Sequence, residues 1–166
     1  MSDWSTNHPR GVAQQRYLND KTQTAAFINP VIVANLSRQA DFNIDLVTNV
    51  IWDTSNLSGY TLANQPGATV AGQNITLTEA GTYNIHVGIR AEVTAGVGPY
   101  TASISITAGV VSSGPQWQTW PAGTSQLIGF WTGQLAAGAV VFISPIQNGA
   151  TVSARESWIY IEKVSN

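Results

Sequence analysis

Apolar and polar residues alternate along much of the chain, most regularly in the segment TEAGTYNIHVGIRAEV (78–93). One face of this segment would carry the apolar set Tyr83, Ile85, Val87, Ile89 and Ala91. The other face would carry polar side chains, His86 and Arg90 among them. A period of two residues predicts a β-strand that rests one face on a hydrophobic core.

Seven more segments, the first of which begins at residue 26, have the pattern of strands, and Gly, Pro and Asn separate them. Short strands at this spacing predict an all-β sandwich or jelly roll in a single domain. The segments are AFINPVIVANL, DFNIDLVTNVIW, QNITLT, YTASISITAG, SQLIGFWTGQL, AVVFISPIQ and SWIYIEKV.

Two of these strands are apolar on both faces, which is typical of strands that are buried on both sides. In SWIYIEKV, Ile159 and Ile161 oppose Trp158 and Tyr160. In AVVFISPIQ, one face carries Val141 and Ile143, and the other carries Val140, Phe142 and Ile146. One face of a two-layer sandwich meets the core, so the other must be covered from outside the domain. We therefore predict a subunit interface that uses one face of residues 140–146, including Phe142, with either the Trp158/Tyr160 face or the Ile159/Ile161 face.

Residues 1–26 form a polar segment that precedes the strands, and residues 27–166 form the predicted domain. The segment has too few apolar residues for a core of its own, so we expect an extended arm that orders only on a partner surface. It holds three of the seven basic residues. The expected contacts with that partner are Trp4, Arg10, Arg16 and Tyr17.

Charged residues make up only 10% of the chain, against a usual ~25%. None occurs from Val93 to Ala154, which fits a surface that faces other subunits or a partner and fits equally a neutral surface of Ser, Thr, Gln and Asn. A net charge of −2 argues against nucleic-acid binding. No apolar run approaches the ~20 residues of a membrane span, and the first residues, MSDWSTNHPR, lack the apolar stretch of a signal peptide. The absence of cysteine excludes disulfides and thiolate zinc sites.

The sequence offers no pattern for catalysis or for a cofactor. There are two histidines, His8 and His86, no Gly-x-Ser-x-Gly motif, and no obvious pair of carboxylates. The segment DFNID (41–45) has the oxygen spacing of a calcium loop but lacks its glycine and alternates like a strand. We therefore expect no enzymatic activity, no cofactor and no metal.

The segment PQWQTWP (115–121) is the one candidate for ligand binding that the sequence suggests. Trp117 and Trp120 lie between prolines and next to two glutamines. An indole beside amide groups is a common platform for a sugar ring, since the ring supplies a flat apolar face. The alternative is that both indoles pack on the core or on a neighbouring subunit.

Several of these segments together resemble the C1q/TNF-like jelly-roll family. FNIDLVTNVIWDTSNLSGYTLA is similar to its early strands, and ITLTEAGTYNIHVGI, with Gly81 and Tyr83, resembles its most recognisable stretch. LAAGAVVFISPIQNG and SWIYIEKV resemble its later strands, although Ala139 stands where the family favours Asp. The resemblance covers residues 27–164. It implies about ten strands and assembly as a homotrimer.

A weakly charged, cysteine-free trimer with a short arm suits a component of a virus particle. The sequence therefore predicts a non-enzymatic capsid decoration (cement) protein of a phage head, whose partners are further copies of itself and the major capsid protein. We expect it on the virion surface, after synthesis in the host cytoplasm without a signal peptide. The alternative is a receptor- or glycan-binding head of a tail fibre or baseplate, with Trp117 and Trp120 bound to a host surface glycan.

Overall fold

The computed structural model describes residues 30–44, 49–95, 100–114, 116–120, 123–148 and 151–165. For residues 94, 95, 100, 117, 120, 148 and 151 it describes the backbone alone. These residues form twelve strands: β1 (Val31–Arg38), β2 (Phe42–Ile44), β3 (Thr54–Ser55), β4 (Ala68–Ala71), β5 (Asn74–Leu77), β6 (Gly81–Ala95), β7 (Tyr100–Ala108), β8 (Val111–Ser112), β9 (Gln116–Trp120), β10 (Thr124–Leu135), β11 (Val140–Asn148) and β12 (Thr151–Ser165).

The strands form two six-stranded antiparallel sheets, which confirms the predicted all-β sandwich. Sheet I has the order β10-β6-β12-β1-β3, with β2 beside β12. Sheet II has the order β4-β5-β11-β7-β8, with β9 beside β7. The number of strands exceeds the expected ten because β3 and β8 contain only two residues each, which is too short for a sequence pattern to reveal. Within the described residues no helix is long and apolar enough to cross a membrane.

Strand β6 lies between β10 and β12 in sheet I and supplies the core as its alternation predicts. Its whole apolar set from Tyr83 to Ala91 is buried. The Tyr83 hydroxyl donates a hydrogen bond of 2.7 Å to the Glu79 carbonyl oxygen, which satisfies the buried polar end of the ring. Gly81 is required at the start of the strand, because a Cβ there would lie 2.5 Å from the carbonyl oxygen of Ser165.

A β-bulge determines which face of β12 enters the core. Ala154 pairs with Ala91 and Glu156 with Arg90, so Arg155 is an extra residue on this strand. The residues that point inward are therefore even-numbered before the bulge and odd-numbered after it. Ile159 and Ile161 are fully buried within the protomer, so their assignment to a subunit interface is corrected: no surface of either is left for a second copy.

The same alternation places Trp158 and Tyr160 on the outer face of sheet I. Phe142 lies on the outer face of sheet II, half-buried between the buried residues Val141 and Ile143. The three aromatic residues predicted for one interface therefore lie on opposite outer faces of the sandwich.

The first and last described residues lie at one end of the sandwich, which we call the terminal end. Val31 pairs with Lys163 there, and Ser165 pairs with Thr82. The turn between β10 and β11 is at the same end, because Ala139 accepts a hydrogen bond from the Leu77 amide, shortly before β6 begins. The predicted arm, residues 1–26, and its expected contact residues Trp4, Arg10, Arg16 and Tyr17 lie outside the described residues.

Candidate functional site

Two adjacent rows of side chains on the outer face of sheet I are left uncovered by the described part of the protomer. We call this surface the aromatic face; its members are Ile128, Phe130, His86, Trp158 and Tyr160. Three of them remain exposed, by 53% at Ile128, 46% at Phe130 and 37% at Trp158. Three large apolar side chains so close together form a patch of the kind that marks a contact site.

His86 lies at the middle of the aromatic face, between rings. Its imidazole is 4.8 Å from the Phe130 ring and 6.2 Å from the Tyr160 ring, measured between centroids, and is tilted to both. Burial raises the pKa of the Tyr160 hydroxyl, and the neighbouring Glu162 carboxylate raises it further. His86 therefore packs between the aromatic side chains of Phe130 and Tyr160.

Polar rows border the aromatic face on both sides. On one side the Asn84 amide donates a hydrogen bond of 2.8 Å to the Glu162 carboxylate. On the other side Arg90 pairs with Glu156 at 4.0 Å, and both side chains are more than half exposed. An apolar centre with a polar rim is the usual anatomy of a protein–protein interface.

Beside the aromatic face lies a pocket of about 370 Å³ that we call the indole pocket. Among the described residues, its lining consists of Trp158 and five polar residues: Arg90, Thr124, Ser125, Gln126 and Glu156. Gly88 makes room for the indole, because a Cβ at that position would lie 2.4 Å from the ring. The indole consequently rests on the backbone of β6.

Strand β9 does not offer the amides that were expected to assist a glycan. The Gln116 side chain donates to the Phe130 carbonyl oxygen at 2.9 Å and accepts from the Phe130 amide at 3.3 Å. The Gln118 side chain donates to the Ile128 carbonyl oxygen at 2.9 Å. Both amides are therefore bound to the edge of β10. The backbones of Trp117 and Trp120 belong to β9, and their side chains lie outside what the structure describes.

The ion pairs of the described residues lie mainly at the margins of sheet I. Arg155, the bulged residue, binds Glu92 at 2.6 Å and also binds Asp41. Its hydrogen bond to Glu92, followed by that to Asp41, raises the pKa of the Arg155 guanidinium. At the terminal end Lys163 lies 2.7 Å from Glu79, and this hydrogen bond lowers the pKa of the Glu79 carboxyl. Within the described chain no group of three or more His, Cys, Asp or Glu side chains could hold a metal ion.

Sequence reasoning identified Trp158 and Tyr160 but missed the other half of the aromatic face. Ile128 and Phe130 occupy outward positions of β10, and the next outward residues on either side, Gln126 and Thr132, are polar. The signal was present, because SQLIGFWTGQL is apolar on both faces at its centre, like the two strands that the sequence analysis singled out. His86 was assigned to the polar face of β6, and only the pairing of β10 with β6 places Phe130 beside it.

Comparisons with solved structures identify the fold as a C1q/TNF-like jelly roll. Eiger TNF from S. frugiperda superposes with a TM-score of 0.54 at 15% identity, over 83% of this chain and 95% of that one. Murine APRIL gives 0.54 at 12% identity, over 81% and 99%. The globular domain of the zebrafish complement 1qA protein gives 0.52 at 12% identity, over 80% and 97%. No protein-family model matches the sequence, and no curated protein matches it significantly.

Proposed function

We propose that this chain is a non-enzymatic building block that assembles into a homotrimer through its aromatic face. The observation that carries the proposal is the exposure of Ile128 and Phe130 beside one another on a face whose rim holds Trp158 and polar side chains. Covering each large apolar side chain would contribute about 1.5–3 kcal/mol. A threefold arrangement is what the resemblance to the C1q/TNF-like family implies.

A non-catalytic role is supported by the surroundings of the only histidine within the described residues. His86 contacts the rings of Phe130 and Tyr160, so its position suits packing between subunits better than proton transfer to a substrate. The shortest ion pairs of the described residues join Arg155 and Lys163 to carboxylates at the sheet margins, away from His86.

Within this role we propose decoration of a phage capsid, with the major capsid protein as partner and the virion surface as location. The terminal end supports a docking role. Val110, at a turn between β7 and β8, is fully exposed, and the turn after β10 (136–138) is uncharged and exposed. The segment of residues 1–29 joins the sandwich at this end through Pro30. Arm and apolar turns could therefore meet one capsid surface together.

The alternative, a receptor- or glycan-binding head of a tail fibre or baseplate, is favoured by one observation. The indole pocket offers an aromatic ring among polar side chains on the outer face of sheet I. This alternative needs host-cell binding, whereas capsid decoration needs binding to particles that lack the protein. The two proposals therefore differ in what the purified protein should bind.

Assembly through the aromatic face is tested by a pair of substitutions at similarly exposed apolar residues. Phe130→Asp places a charge on the aromatic face, while Ile51→Asp places one at a residue that is 50% exposed elsewhere. Light scattering should show dissociation to protomers for Phe130→Asp only. Equal behaviour of the two variants as trimers would overturn the proposed interface, and loss of assembly in both would show that it is not confined to this face.

A further inference from the structure

We infer that the indole pocket is a binding site for a neutral saccharide, with Trp158 as the ring on which the sugar stacks. This inference goes beyond the proposed assembly. It also moves the glycan site predicted at Trp117 and Trp120 to the opposite side of β10. Its basis is the combination of a supported indole, a cavity of suitable size, and polar side chains with free hydrogen-bonding capacity.

The indole is held in a position suited to stacking. Gly88 lets the ring lie against the backbone of β6, since a Cβ would come within 2.4 Å of Cε2 and 2.5 Å of Cζ2 and Nε1. The residue is 37% exposed, so part of its side chain remains open to the pocket. A ring fixed in this way loses little conformational entropy when a ligand stacks on it.

The remaining walls supply donors and acceptors. Glu156 and Arg90 are separated by 4.0 Å and largely exposed, so their weak ion pair leaves both groups available to a ligand. The side chains of Thr124, Ser125 and Gln126 form no hydrogen bond with another described residue. The cavity of about 370 Å³ lies within the usual range of small-ligand pockets, roughly 300–1,000 Å³.

The charge and shape of the pocket select among ligand classes. A carboxylate opposite a guanidinium leaves no net charge to attract an anion or a cation, and a single aromatic ring is not the cage that a quaternary ammonium group prefers. A sugar ring has an apolar C–H face for the indole and hydroxyl groups for Glu156, Arg90 and Gln126. A neutral hexose or N-acetylhexosamine therefore satisfies all the walls of the pocket.

The pocket adjoins the aromatic face on its polar side. The row of Phe130, His86 and Tyr160 lies away from it, and the row of Gln126, Arg90 and Glu156 borders it. A second copy centred on Phe130 would leave the pocket at the rim of the interface. Saccharide binding and assembly are then compatible in one trimer.

The test is titration of the full-length protein with N-acetylglucosamine and with galactose, while the indole N–H signals are followed by NMR. At least one sugar should shift the Trp158 signal in a saturable way. Trp158→Ala should abolish binding, and Glu156→Gln should weaken it tenfold or more. Gly88→Ala, which displaces the ring without removing it, should also weaken binding, whereas Trp117→Ala and Trp120→Ala should bind like the unmodified protein.

Three outcomes would overturn the inference: no saturable shift at Trp158, binding that survives Trp158→Ala, or binding that depends on Trp117 or Trp120. Light scattering on the same samples measures the assembly state, so that a failure of sugar binding can be told apart from a failure of trimer formation. If only the dissociated Phe130→Asp variant binds sugar, a neighbouring copy covers the pocket. That result would reject the site in the assembled protein and leave the proposed trimer intact.

Discussion

Neighbouring residues of β12 have opposite roles, and a pair of substitutions should separate them. Ile161 is fully buried, so Ile161→Ala should lower the free energy of unfolding by about 2–5 kcal/mol. Tyr160 lies on the aromatic face, so Tyr160→Ala should cost the protomer much less and weaken assembly instead. Urea unfolding at several protein concentrations measures both effects. If both substitutions lowered the free energy of unfolding equally at low protein concentration, where protomers predominate, the assignment of Ile161 to the core and of Tyr160 to the outer face would be contradicted.

The Glu79–Lys163 pair should make stability depend on pH in the acid range. The bond to Lys163 lowers the pKa of Glu79 in the folded protein, so its contribution is present above the unfolded value of about 4.3. That contribution is lost as pH falls through the lowered folded value. Glu79→Gln should therefore be less stable than the unmodified protein at pH 7, and the difference should vanish by about pH 2.

Glu156→Gln is the matched control for this measurement. Glu156 also faces a cation, Arg90, but at 4.0 Å and with both side chains largely exposed. Thermal unfolding between pH 7 and 2 should show a smaller change for this variant than for Glu79→Gln. A stability difference at Glu79 that is the same at every pH would show that the ion pair is not its cause.

Alternation in the sequence predicts which residues point inward only where one face of a strand is polar. In β6 the buried set from Tyr83 to Ala91 follows directly from the pattern. In β12 both faces are apolar after Arg155, so the pattern allows either set inside. The bulge at Arg155 makes the choice, and the bulged side chain binds Glu92 and Asp41, which are distant in the chain. A local pattern cannot contain that information.

Strand β10 is an edge strand of sheet I, and two glutamines of β9 protect its outer edge. An unpaired edge invites pairing with another chain, so the side chains of Gln116 and Gln118 act in place of a neighbouring strand. The sequence suggested that the two glutamine amides were available to a glycan. Their partners on β10 lie near them only in the folded protein, so a sequence pattern does not show that the amides are already bound. The fold was predicted correctly, while the site at Trp117 and Trp120 stays a prediction, and only its two glutamines are found bound to β10.

Gln116→Ala should loosen this edge. Its amide both donates to and accepts from the backbone of Phe130, and each lost hydrogen bond is worth about 0.5–1.5 kcal/mol. Hydrogen exchange at the Phe130 amide should become faster, because its acceptor is removed. Gln134→Ala is the control, since Gln134 is an exposed residue of β10, the strand that contains Phe130. Unchanged exchange at Phe130 in Gln116→Ala would exclude a protective role.

At the scale of the whole molecule, the arm and the sandwich should be separable. Deletion of residues 1–24 leaves every described strand intact, so the product should remain a folded trimer. It should no longer bind capsids, because Trp4, Arg10, Arg16 and Tyr17 are the proposed contacts and three arms on one trimer act together. Co-sedimentation with particles that lack the protein measures this. Full occupancy by the truncated trimer would place the docking surface on the sandwich.

The most direct test of the account is the mass of the unmodified protein in solution. Assembly through the aromatic face requires that three copies cover side chains that each protomer leaves exposed. Sedimentation equilibrium at micromolar concentration should therefore give three times the protomer mass of 17.7 kDa. A single species of 17.7 kDa across the concentration range would contradict the account, since Ile128 and Phe130 would then remain exposed to water.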